Sequence, residues 1–306
     1  MDGARTARAV RDYYEGNTRL FLSLGIGATT LAMRRAVWAD GVENLRQSVD
    51  YVNVLIAAEI LAFDARRGGG GGDGDARRGG GGGGAGGEPL RVLDIGCGVG
   101  GSLLFLCRAV GEALQGVGVT ISPRQADIAR RQARLRGLAH RLSFVAGDFC
   151  AVPVQARFHC AFAIESFVHF PEPGSFFTAA ARSLEPGARL VVVDDFLSVD
   201  RHSPRERRLV LAFKAGWILS SLCTVERAAR SAADAGLRLV DNRDLSPFLS
   251  QLPLAPPVLR ALALLVAALP VPWSYWRSTA GSLALAACQK THLVQYRCLV
   301  FEKAGG

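Results

Sequence analysis

The chain has 306 residues, of which 49% are hydrophobic, so it is long enough for one large domain or two small ones and can bury a sizeable core. Lys and Arg number 36 against 27 Asp and Glu, a formal net charge of +9, which suits an acidic small molecule, a membrane surface or simply a solvated face. No stretch interleaves basic and aromatic residues as a nucleic-acid motif does, so no nucleic-acid partner is expected.

The opening segment MDGARTARAVRDYY has no apolar core and does not read as a secretory signal. Cys97, Cys107, Cys150, Cys160, Cys223, Cys288 and Cys298 form no CxxC pair, and most lie in apolar runs. They read as reduced, buried thiols of a cytoplasmic protein. From Ala4 to Phe63 apolar residues recur at helical spacing. So short a segment hardly buries its own apolar face, and residues 1–65 are expected to lie over the main domain as a helical cap. Arg66 to Pro89, RRGGGGGDGDARRGGGGGGAGGEP, reads as a flexible linker over 66–89.

After the linker the periodicity changes, and residues 90–303 read as a core. Short apolar runs are expected as strands at 91–95, 116–121, 141–145, 158–164, 189–194, 237–242 and 293–302. Helices are expected at 102–113, 123–136, 174–184 and 224–236. Strands alternating with amphipathic helices predict an α/β fold with helices on both faces of a largely parallel sheet. Residues 199–222 and 247–290 read as helical insertions that roof the site together with the N-terminal segment. Val258 to Leu269 is very apolar but holds Arg260 and is flanked by prolines, too short to span a bilayer. It is expected as a buried or pocket-covering helix, with no stable membrane insertion.

The strongest motif is VLDIGCGVGG, from Val92 to Gly101. Gly96 and Gly98 let the backbone turn tightly and approach a ligand at the end of the first strand. The glycines alone also fit a dinucleotide fingerprint. Asp94 argues against that, since a buried carboxylate repels a pyrophosphate but tolerates a cationic amino-acid end. The acid that a dinucleotide site places at the end of the second strand is replaced by Thr120. A branched side chain at Gly96 is expected to fill the ligand's space.

DIGCGVGG resembles the first motif of the S-adenosylmethionine-dependent methyltransferases with a seven-stranded, Rossmann-like sheet. GVTISPRQ, from Gly118 to Gln125, is similar to the GVTxSxxQ variant of the tocopherol, sterol and cyclopropane-fatty-acid methyltransferases. The resemblance implies S-adenosylmethionine as cofactor, with Thr120, Ile121 and Gln125 beside it. Gly147-Asp148-Phe149 looks like the adenine clamp, Asp148 accepting from the exocyclic amine and Phe149 covering the ring.

Methyl transfer is largely positioning. The loop after the fourth strand, AIESFVHFPE from Ala163 to Glu172, places Glu165 near Phe167, His169 and Phe170. A carboxylate among apolar neighbours is expected to have a raised pKa and can serve as a general base. An alkene that gains a methyl becomes a cation, which aromatic faces stabilise before a base restores the double bond. Phe167, Phe170, Phe196, Phe213, Trp217 and Trp276 are candidates for such a wall. Oxygen, nitrogen or ring-carbon acceptors in natural-product chemistry remain the alternative.

YYEGNTRLF from Tyr13 to Phe21, RRAVWADGV from Arg34 to Val42, and YWRSTAGSLAL from Tyr275 to Leu285 resemble the isoprenyl (geranyl or farnesyl) diphosphate C-methyltransferases of terpenoid biosynthesis. That resemblance implies a prenyl diphosphate acceptor, Glu165 as base, Tyr14 beside the cofactor, and Tyr13 and Asn17 toward the substrate. Arg34 stands where such relatives often carry His. Arg34, Arg35 and Arg277 are the expected diphosphate partners, and Trp217 joins them on the substrate side. Any Mg²⁺ is expected on the diphosphate, with no protein metal ligands; His169 reads as a hydrogen-bonded pocket residue. A homo-oligomer stays open.

Overall fold

The computed structural model describes residues 3–23, 31, 34–68, 88–152, 156–269 and 274–305. Among the described residues α1 (Gly3–Ser23) and α2 (Leu45–Gly68) come first. The sheet region follows as β1 (Leu90–Ile95), α3 (Gly101–Val110), β2 (Leu114–Thr120), α4 (Pro123–Leu135), β3 (Leu142–Ala146) and β4 (Phe158–Ile164). A short turn of 3₁₀ helix at Phe167–His169 leads to α5 (Pro173–Arg182) and the long β5 (Leu184–Leu197). The remainder is α6 (Pro204–Trp217), α7 (Val225–Asp234), β6 (Leu237–Asp244), α8 (Pro256–Ala268), α9 (Ser274–Lys290) and β7 (Val294–Lys303).

The seven strands form one sheet in the order β3-β2-β1-β4-β5-β7-β6. Six run in one direction, and β7 lies antiparallel between β5 and β6. Parallel neighbours need a crossover, and α3, α4 and α5 supply it from β1 to β2, β2 to β3 and β4 to β5, which gives the alternation seen in the sequence. Strand order reverses between β1 and β4, and a crevice opens at the carboxyl ends of those two strands.

Side chains alternate across the sheet. In β5, Leu190 and Val192 enter one apolar cluster with Phe176, Phe177 and Phe213, while Val191 and Val193 enter the other. That second cluster includes Val52, Ile56 and Ile60 of α2 with Leu103 and Leu106 of α3. The sequence led us to treat residues 1–65 as one cap. Of the described residues, α1 lies over the crevice together with Leu31 and Arg34, whereas α2 packs against β4 and β5 as part of the helical layer. The difference follows from pattern, since α2 supplies a row of branched residues at helical spacing that the sheet face can bury. The helix also runs through Arg66 and Arg67, where the linker was expected to start. The rest of the glycine tract, 69–87, lies outside the described residues.

Helices α6, α8 and α9 lie within residues 199–222 and 247–290, and α6 and α9 cross at glycines. A Cβ on Gly216 would come within 2.5 Å of the Gly281 Cα, so only glycine permits this approach. One expectation is overturned: of the residues of α8, only Leu259 and Ala263 are buried. Among the described residues no helix is long and apolar enough to cross a membrane.

Candidate active site

The crevice is a cleft of about 1060 Å³ with its floor at the ends of β1, β2 and β4 and its roof on α1. The floor is the glycine motif. Gly96 and Gly100 both adopt φ +84°, a left-handed conformation costly for other residues. A Cβ on Gly96 would sit 2.4 Å from the Ser166 Cβ. A larger residue there collides with the loop after β4 before it reaches ligand space, which corrects the expectation above. Ser166 is itself pinned by donating to the Ile95 carbonyl at 2.6 Å.

Asp94 lines the cleft and is buried, and its Oδ2 has no hydrogen-bond partner among the described residues. Burial pushes its pKa up to about 8, against the pull of Arg34. An orphaned buried carboxylate oxygen at the end of β1 suits a ligand ammonium and would repel a pyrophosphate. Thr120, Ile121, Gln125, Gly98, Asp148 and Phe149 line the same cleft. Thr120 Oγ1 donates to Gln125 Oε1 at 2.7 Å, and Gln125 Nε2 donates to Thr18 on α1 at 3.2 Å. Asp148 Oδ1 accepts the Cys150 backbone N–H at 3.0 Å. Phe149 is buried, edge-on to Phe170.

Helix α1 is held over this floor by polar side chains. Glu15 Oε1 accepts from the Ser122 hydroxyl and from the Arg124 N–H at the start of α4, where positive helix-dipole charge favours a carboxylate. Tyr13 hydrogen-bonds Ser278 of α9 at 2.6 Å. Tyr14, which lines the cleft, donates to His169 Nε2 at 2.9 Å, and His169 Nδ1–H faces the Ile218 carbonyl at 3.3 Å. Burial lowers the His169 pKa to about 4, so the ring is neutral and can accept from Tyr14. Asn17 is buried in the same helix.

Glu165 begins the loop after β4 with φ +47°, a left-handed conformation that costs a non-glycine residue about 1 kcal/mol. Its carboxylate explains how this is held. Oε1 accepts from the Arg35 backbone N–H at 3.0 Å, from Arg35 Nε at 3.3 Å and from the Tyr296 hydroxyl at 2.9 Å. Arg35 makes a bidentate pair with Asp195 at 2.9 and 3.0 Å and lies over the Tyr296 ring. Burial works against the Arg35 charge, but Asp195 and Glu165 outweigh it and hold its pKa well above the ordinary value. Behind this pair, Asp194 is buried and accepts from the backbone N–H groups of Val168 and Asp195. Burial and the neighbouring Asp195 push the Asp194 pKa well up.

Glu165 thus lines the same cleft as Asp94 and Thr120, but not in the company the sequence suggested. It sits in a polar net, not an aromatic wall. Phe167, Phe196 and Phe213 are fully buried in the core, Phe167 stacked on Phe196. Trp217 packs on Gly281, and Trp276 donates to the Val266 carbonyl. Of the expected aromatic wall, Phe170 lines the cleft. The three arginines are not brought together either. Arg34 is buried in the cleft wall, donating to Val49 O, Ser102 and Asp50, and burial lowers its pKa. Arg35 is committed to Glu165 and Asp195, while Arg277 is exposed and, among the described residues, donates to the Ala215 carbonyl. Asp195 and Tyr296 escaped the sequence reading. Two acids inside the apolar run VVVDDFL were a signal that a buried cation must meet them; Tyr296 left none.

Comparison with known proteins agrees with this geometry. Residues 92–187 match the family model described as a methyltransferase domain. The chain carries a class I, S-adenosylmethionine-dependent methyltransferase domain. It is 32% identical over 162 residues to the sterol 24-C-methyltransferase erg6 of Aspergillus fumigatus, a match covering 52% of this chain and 42% of that protein. The chain thus spans less than half the length of the curated relatives it matches. The same methyltransferase fold appears in the [4+2]-cyclase SpnF, with TM-score 0.65, 24% identity and coverage of 98% and 97%. It appears as well in the geranyl diphosphate C-methyltransferase of Streptomyces coelicolor A3(2), with TM-score 0.66, 16% identity and coverage of 98% of each chain.

Proposed function

We propose that this protein methylates a carbon of a small apolar acceptor, using S-adenosylmethionine and with Glu165 as the base. The observation that carries this reading is the geometry of Glu165. One carboxylate oxygen is tethered by three donors, while Oε2 has no hydrogen-bond partner among the described residues of the cleft. Such an acid is fixed in direction and keeps one oxygen for a proton.

The cleft supports the cofactor. Asp94 would hold its ammonium, Asp148 and Phe149 its adenine, and Thr120, Ile121 and Gln125 its ribose side. When bound, S-adenosylmethionine supplies a methyl already activated by its sulfonium leaving group. Tyr14 and the α1 roof exclude water. An alkene acceptor gives its π electrons to the new C–C bond and becomes a cation. Glu165 takes the adjacent proton on Oε2, and the C–H electron pair restores the double bond. A carbon acceptor agrees with the name of the sterol 24-C-methyltransferase relative.

The acceptor suggested by the N-terminal motifs, a prenyl diphosphate with Mg²⁺, is the second reading. The full-length fold likeness to a geranyl diphosphate C-methyltransferase and the exposed guanidinium of Arg277 favour it. Charge favours it less. Among the described residues the cleft is lined by Asp94, Asp148 and Glu165 against Arg34 alone, each of whose three nitrogens already donates within the protein. A diphosphate needs surplus positive charge there. We therefore place an uncharged terpenoid or sterol-like alkene first. The test is incubation with labelled S-adenosylmethionine and two acceptor sets, neutral polyenes and sterols in one, prenyl diphosphates with and without Mg²⁺ in the other. Methyl gain confined to Mg²⁺-dependent diphosphates would reverse the order of the two readings.

A further inference from the structure

Helix α8 breaks the usual rule for a surface helix. Its sequence PPVLRALALLVAA has Arg260 as its one charged residue, and only Leu259 and Ala263 face inward. Val258, Leu265 and Leu269 follow one another at helical spacing on the outside, 45%, 60% and 44% exposed. Leu262 and Leu264 flank them, and Leu252 and Leu254 continue the patch toward the chain's preceding segment. A run of exposed leucines this long costs hydration free energy and marks an interaction surface.

Charge identifies the partner. From residue 245 to residue 301 the sequence contains no Asp or Glu, yet it carries Arg260, Arg277, Lys290 and Arg297. Helix α6, against which α8 also packs, exposes Arg205, Arg207, Arg208 and Leu211. An apolar helix beside a cluster in which the three arginines of α6 outnumber its one acid, Glu206, complements an anionic lipid surface: leucines enter the acyl boundary and guanidinium groups meet phosphates. A second copy of the chain fits poorly, because a symmetric contact would bring arginine against arginine. Helix α8 is also too short to span, so it lies on the surface. Its packing partner α9 carries Ser278, which binds Tyr13 of the cleft roof, so the patch adjoins the roof.

We propose that the outer face of α8, with the basic residues of α6 and α9, docks this protein peripherally on membranes that carry anionic lipid. The inference does not depend on which acceptor is methylated. The experiment is flotation of the full chain with vesicles of phosphatidylcholine alone and of phosphatidylcholine mixed with phosphatidylglycerol. The chain should bind the anionic vesicles about tenfold or more better than the neutral ones, and added salt should weaken that binding. The double substitution V258D/L265D should reduce binding to background with an unchanged melting temperature, since both side chains are exposed. Arg260→Gln, which leaves every apolar contact in place, should weaken binding roughly fivefold. Absence of binding to anionic vesicles at low salt would overturn the proposal, as would binding that V258D/L265D and Arg260→Gln both leave unchanged. A vesicle-independent dimer that V258D/L265D dissociates, without lipid binding, would assign the face to a second copy instead.

Discussion

The two sides of the cleft are built in different ways. The floor at β1 and β2 is made from contiguous chain: Asp94, Gly96 and Gly98 lie within five residues, and Thr120 to Gln125 within six. Backbone conformation does most of the shaping there. The side around Glu165 is assembled from afar, with Arg35 separated from it by 130 positions and Tyr296 by 131. Its shape rests on side-chain charge and hydrogen bonds. A floor of the first kind tolerates many acceptors; an assembly of the second kind is where an acceptor is chosen.

The largest effect should come from breaking the floor at its one carboxyl group, Asp94. Asp94→Asn should weaken S-adenosylmethionine binding about a hundredfold, the scale for losing one partner of a buried charge pair. The same change should stabilise the unliganded protein. A buried acid raised from 3.8 to about 8 holds its proton in the folded state and loses it in the unfolded one between those values. Stability of the wild type must therefore fall as pH rises from about 4 to about 8, and Asp94→Asn removes that fall. Cofactor binding to the wild type below pH 8 should release a proton, visible as a buffer-dependent heat in calorimetry. Wild-type affinity in the variant would remove Asp94 from the site.

How far each side was legible follows from the same contrast. The sheet, its strands and the floor residues could be read because local periodicity and a contiguous motif encode them. The left-handed turns at Gly96 and Gly100 are written as glycines. The Glu165 side was half legible: the acid stands out in AIESFVHF, but its partners do not, because nothing local in Arg35 or Tyr296 shows that they meet. The arginine pair at 34 and 35 was read as a phosphate grip because a sequence shows donors and not what already occupies them. Helix α8 misled in the opposite sense, since an apolar run reads as buried until its neighbours are known.

On the assembled side, Glu165→Gln keeps shape but removes the proposed base. Turnover should fall about 10²-fold or more, with cofactor affinity unchanged. Retained activity would favour an oxygen or nitrogen acceptor. Tyr296→Phe leaves the base and removes one of its three donors. Because Tyr296 positions Glu165 and is buried behind it, kcat should fall about tenfold while KM stays near the wild-type value. An equal loss in kcat/KM through KM alone would mean that Tyr296 only supports the fold.

The smallest effect separates strain that the site uses from strain it does not. Glu165 and His292 both adopt left-handed backbone, at φ +47° and +56°. Glu165 is over-determined by three hydrogen bonds to its carboxylate. His292 is exposed and merely ends α9, where its N–H donates to Gln289 O at 3.0 Å and the next N–H reaches back to Cys288 O at 2.8 Å. Those are backbone bonds, which glycine makes equally well and without a Cβ to crowd the carbonyl. His292→Gly should therefore raise stability by up to about 1 kcal/mol, a rise of about 2 °C in Tm for a chain of this size, with turnover unchanged. Glu165→Gly relieves the same dihedral but deletes the groups that made it worth holding. It should lower Tm and abolish turnover. If both glycine variants stabilise the protein, the net around Glu165 holds nothing in place, and the assembled side of the cleft has been read with too much structure.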